Sequence, residues 1–249
     1  TEKDLAMLRW MFKDNVYSTP PERAEASKKR QAELVARNAV TMASTSPSPL
    51  MMMMEHLAGL ENTIYMKMDY PELFMEVMDL MHQDRLKWMK ATLPYCPADT
   101  FWMTENTSTT LLSPELFKEI CMPHLKDYGN QILQNNMIPI HHMCGKLNAI
   151  LELVDELPAM ANEAFTSRPV GDVSLAEGRK RMPSKALIGG TNATLWLAPA
   201  EKIIEEVRQD LAACPDRKKI FLTSAGVLPP AVTFEKAKKV VAAFKEFDV

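Results

Sequence analysis

From Thr100 onward the chain alternates short strand-like runs with longer helix-like ones, and this alternation restricts the fold more than any other feature. Strand-like runs occupy Thr100 to Thr104, Met137 to His142, Ala159 to Phe165, Lys185 to Ile188 and Lys219 to Thr223. Helix-like runs occupy Pro114 to Asn135, Leu147 to Leu157, Ser174 to Arg181, Pro199 to Ala213 and Thr233 to Phe247. Such repetition predicts a parallel sheet covered by helices.

The first hundred residues are more helical. Leu5, Leu8, Trp10, Met11 and Phe12 form an apolar stripe, and Pro20-Pro21-Glu22 opens a second helix running towards Arg37. Asn38 to Ala43 is β-compatible, Ser44 to Pro49 is turn-rich, and another helix begins near Leu50. Pro71-Glu72 starts a long helix carrying Leu73, Phe74, Val77, Met78, Met81, Leu86 and Met89, which read as core. Strand units therefore number about six, where a closed (β/α)8 barrel has eight. The expectation is an α/β barrel of the TIM type lacking its N-terminal strands. Residues 1–249 would form one barrel domain, the C-terminal two-thirds of the full fold.

Composition narrows the function. A net charge of −3 over 249 residues provides no concentrated basic face for nucleic acid or an anionic membrane, and Arg179-Lys180-Arg181 reads as a solvated helix end. No apolar run approaches the roughly 18 residues that cross a bilayer, because Met51 to Met54 is closed by Glu55 and His56. Four widely spaced cysteines predict reduced thiols and a cytoplasmic setting. The chain starts at Thr1 with no visible signal peptide, and the native start is expected upstream.

Polar residues cluster at the predicted strand ends, where barrels of this type carry their chemistry. Glu105 and Asn106 follow "TFWMT", His142 and Cys144 follow "IPI", Glu163 lies in "MANEAF", Asn192 follows "LIGG", and Ser224 follows "IFLT". Along an extended segment His142 and Cys144 share a face and His141 takes the other. Imidazole and thiolate together suit zinc, and catalytic zinc takes three protein ligands and an open position. Cys96, Cys121 and Cys214 lie away from strand ends, which leaves Glu105 or Glu163 as the third ligand. No glycine-rich dinucleotide turn and no phosphate loop occurs.

"LLSPELFKEICMPHLKDYGNQIL", "IHHMCGKLNAILELVDEL", "RPVGDVSLAEGRKRM", "ALIGGTNATLWL" and "FLTSAGVLPPAVTFEKAKKVVAAF" together resemble the uroporphyrinogen decarboxylase superfamily over roughly residues 100–247. The His-x-Cys-Gly motif is closest to its corrinoid-dependent methyltransferase branch. The resemblance implies a (β/α)8 barrel and a methyl group moved between a small methylated substrate or thiol and a corrinoid held by a partner protein, at a zinc ion. His142 and Cys144 match two zinc positions, while the cysteine expected before Pro229-Pro230 is replaced by Gly226. The expected site is therefore His142, Cys144 and Glu105 on the metal, His142 and Glu105 in catalysis, and Asn106, Glu163, Asn192 and Ser224 on the substrate. Alternative readings are a metal-free decarboxylase and a non-catalytic member that binds a ligand or the corrinoid protein.

Overall fold

The computed structural model describes residues 1–247. These residues form two compact units, Thr1–Glu105 with Leu116–Pro139, and Asn106–Glu115 with Ile140 onward. Within each unit, neighbouring strands are parallel and follow their order in the chain.

The first unit holds helices α1 (Glu2–Lys13), α2 (Pro21–Val35), α3 (Pro49–Met52), α4 (Leu60–Asp69), α5 (Pro71–Thr92) and, after the short turn α6 (Pro114–Leu116) begins, α7 (Met122–Gln134). Prolines open α2, α3 and α5 at their first positions, where the missing N–H has no partner to lose. Of the seven α5 residues expected in the core, Leu73 and Leu86 are half-buried, and Phe74, Val77, Met78, Met81 and Met89 are buried. Each such side chain contributes about 1.5–3 kcal/mol of hydrophobic stabilisation.

Strand β1 (Met42–Thr45) pairs with β2 (Thr100–Thr104), Met42 opposite Thr100. β1 lies later than the expected Asn38 to Ala43, for two reasons. The Asp99 carboxylate accepts from the Thr41 N–H at 2.7 Å and from its hydroxyl at 2.7 Å, fixing the chain just ahead of the strand. Arg85 of α5 then donates to Thr45 Oγ1, to the Ser46 carbonyl and to Ser46 Oγ, keeping extended a segment whose composition predicted a turn.

In the second unit β3 (Ile138–His142, of which Ile140 onward belongs here), β4 (Ala161–Phe165), β5 (Ala186–Gly189) and β6 (Ile220–Leu222) pair in succession. Their helices are α8 (Leu151–Asp155), α9 (Leu175–Arg181), α10 (Ala200–Ala212) and α11 (Phe234–Lys245). Ser174 caps α9 reciprocally with Glu177, and Thr233 caps α11 through the Lys236 N–H, so both helices start where a hydroxyl precedes the apolar stripe. The expected helix Leu147 to Leu157 is a 3-10 turn and a short α-helix, and Asp172 accepts the N–H groups of Leu147 and Asn148 at its start. Among the described residues β1 and β6 are each paired on one side.

Candidate functional site

The strand pair β3–β4 places His142 opposite Glu163 in register. Parallel neighbours in register project on the same side of the sheet, and the His142 Nδ1 donates to Glu163 Oε2. Both side chains are mostly buried, 21% and 15% exposed. Burial alone would lower the His142 pKa, but hydrogen bonds with Cys144 and Glu163 and the charge of the Glu163 carboxylate outweigh it and raise the value to about 9. The ring therefore carries positive charge at neutral pH.

Cys144 stands two residues on, half-buried, with its thiol directed at Asn106 Oδ1 at 3.7 Å. The Asn106 N–H donates to the His142 carbonyl at 2.9 Å, and the Met143 N–H to the Glu163 carbonyl at 3.1 Å. Expected residues His142, Cys144, Asn106 and Glu163 are thus gathered in one unit around the end of β3.

His141 takes the opposite face, as the alternation predicts. It is 1% exposed, both ring nitrogens lack a hydrogen-bond partner, and burial followed by the charge of Lys185 lowers its pKa to about 3. Its register partner Asn162 is 0% exposed and equally unpartnered at both side-chain polar atoms. Strand periodicity separates His142, on the face of Cys144, from His141, but nothing in the sequence points to Asn162.

The other expected residues have different surroundings. Glu105 belongs to the first unit, where it is fully buried and accepts from the Ser48 N–H at 2.7 Å and from Ser48 Oγ at 2.6 Å. Ser48 Oγ also lies 3.6 Å from Cys121 Sγ. Burial raises the Glu105 pKa to about 7 against the opposing pull of the Ser48 bonds. Asn192 is fully buried, with its amide N–H groups on Ser167 Oγ (2.9 Å) and the Arg168 carbonyl (2.8 Å) and its oxygen accepting from the Leu195 N–H (2.8 Å). The Ser224 hydroxyl turns back onto the Gly226 carbonyl at 2.5 Å. Gly226 has φ +129°, and a side chain there would meet nothing within 4 Å.

The donor types at His142, Cys144 and Glu163 suit zinc, and a histidine that gives its Nδ1–H to a carboxylate commonly offers its other ring nitrogen to a metal. Among the described residues no three His, Cys, Asp or Glu side chains form a metal-holding group.

A model of the uroporphyrinogen decarboxylase (URO-D) family matches residues 8–247. The chain belongs to this family. It is similar to a methylcobamide:CoM methyltransferase, MtaA, of Methanosarcina barkeri (strain Fusaro / DSM 804), with 28% identity over 182 residues, 71% of this chain and 50% of that protein. A second MtaA of Methanosarcina barkeri is 26% identical over 180 residues, with the same coverage of 71% and 50%. The chain thus spans about half the length of these relatives. A solved methyltransferase from Methanosarcina mazei superposes with a TM-score of 0.70 over 93% of this chain and 68% of its own, at 19% identity, which establishes a common fold. Among the described residues no helix is long and apolar enough to cross a membrane.

Proposed function

We propose that the chain serves corrinoid-dependent methyl transfer, moving a methyl group between a corrinoid carried by a partner protein and a small thiol or methylated substrate. The observation that carries this reading is the grouping of His142, Cys144 and Glu163 at one strand end in a chain similar to methylcobamide:CoM methyltransferases. The resemblance that implies a corrinoid also implies zinc, but among the described residues no three His, Cys, Asp or Glu side chains form a group that would hold it.

In thiol methylation the acceptor sulfur gives up its proton to solvent and forms a bond to the methyl carbon. The bond between methyl and corrinoid breaks and leaves its electron pair on the corrinoid. Imidazolium at His142, oriented by Glu163, places positive charge beside the incoming thiolate in a largely desolvated position, where such charge acts most strongly. Glu105, held by Ser48, is assigned to anchoring the loop after β1.

The test mixes the chain with methylcobalamin and mercaptoethanol and follows loss of the methylcobalamin spectrum, in wild type, His142→Ala and Cys144→Ser. Turnover in wild type that falls in both variants supports the reading, and none in wild type sinks it. Zinc measured per chain in the same samples decides the metal question, since about one ion lost in Cys144→Ser would require a metal site after all.

A further inference from the structure

The segment following β2 runs beside the end of β3 as a strap. The Asn106 N–H donates to the His142 carbonyl at 2.9 Å, and the Cys144 thiol to Asn106 Oδ1 at 3.7 Å. Two residues further along, the Lys146 N–H donates to Ser108 Oγ at 3.1 Å. Thr109 then gives its N–H (2.8 Å) and its hydroxyl (3.1 Å) to the Lys146 carbonyl.

Two backbone features exist to allow this approach. Gly145 has φ +98°, and a side chain there would lie 2.9 Å from Ser108 Oγ and 3.0 Å from Ser108 Cβ. The glycine of "HMCGK" thus makes room for the strap. Asn106 has φ +50°, a left-handed conformation that asparagine accepts more readily than most residues. From it, one residue reaches the backbone of β3 with its N–H and the sulfur with its side chain.

We infer that Asn106 is a positioning residue for the Cys144 thiol, fixing the direction of the S–H and covering one side of the sulfur. The strap restricts approach to Cys144 to the sides that Asn106 leaves open. The inference rests on the proposed function only in treating this thiol as the functional one.

The experiment measures iodoacetamide alkylation of each cysteine by mass spectrometry in the full chain, with half-buried Cys96 and Cys214 as internal references. Asn106→Gly keeps the left-handed backbone and its N–H but deletes the amide. It is expected to raise the Cys144 rate by about fivefold through added access, with Cys96, Cys214 and the thermal midpoint unchanged. Asn106→Asp restores an acceptor oxygen on a residue that tolerates the same backbone, and returns the rate to wild type or below. An unchanged Cys144 rate in Asn106→Gly overturns the inference, and so does a rise at all three cysteines with a lowered midpoint. Alkylation needs no methyl transfer, so a selective rise in a chain inactive with methylcobalamin keeps the inference and removes only the functional reading.

Discussion

His142 and Glu163 face each other across the β3–β4 pair, the imidazole Nδ1 donating to the carboxylate. Burial disfavours the charged ring, yet Cys144 and Glu163 raise its pKa to about 9. A histidine raised on folding contributes stability that is complete below its unfolded value, about 6.5, and is lost as pH rises through about 9. Urea denaturation of wild type should therefore show stability falling between these limits. Glu163→Gln, which keeps an acceptor but removes the charge, should flatten that limb and lower the His142 pKa followed by NMR. An unaltered titration in the variant would mean that Glu163 does not hold the ring.

Glu105 should show a pH dependence with a different cause. Its pKa is raised to about 7 by burial. A carboxyl raised on folding binds its proton more tightly in the native state, so its contribution is complete below the ordinary value of 4.5 and is lost as pH rises through about 7. Glu105→Gln should abolish this limb, leaving the variant at least as stable as wild type at alkaline pH, because an amide oxygen still accepts from Ser48. A large alkaline destabilisation of Glu105→Gln would show that the ionised form is needed.

Gly145→Ala introduces a side chain at φ +98° and against Ser108. Backbone strain of this kind costs about 1–3 kcal/mol, which chemical denaturation would register. Ser108→Gly on the same background removes the steric part and should recover some of the loss; no recovery would assign the whole effect to the backbone.

Asn192→Ala should act on stability. The substitution leaves the buried Leu195 N–H without its acceptor and frees Ser167 Oγ and the Arg168 carbonyl, a cost of about 1–3 kcal/mol for the stranded donor alone. Substrate KM of the folded fraction should stay unchanged. A raised KM with unaltered stability would return Asn192 to the substrate.

Hydrophobic and turn periodicity made most of the second unit legible, because strand and helix periods differ and β3 to β6 are bounded by caps and turn residues. Their predicted positions agree with the structure to within about two residues, the uncertainty typical of element ends. β1 was displaced because Asp99 and Arg85, distant in sequence, set its ends. The same limit applies to the site. Local spacing pairs His142 with Cys144, and Glu163 is one of two carboxylates at neighbouring strand positions. Choosing Glu163 as the residue in contact with His142 requires the β3–β4 register, which no local pattern encodes. The Ser48 bonds of Glu105 and the Ser167 and Arg168 bonds of Asn192 are likewise long-range facts, so neither residue's partners show in the sequence around it.

The consecutive histidines of β3 make the motif unequally tolerant of slippage. Because side chains alternate with a period of two, sliding β3 by one residue against β4 would bring His141 before Glu163, and an imidazole would still meet the carboxylate. The position two residues on would then hold Met143 in place of Cys144. An insertion or deletion ahead of this strand could thus preserve the ion pair while substituting a thioether for the thiol, so it is the sulfur chemistry of the site that records whether the strand is in its native frame.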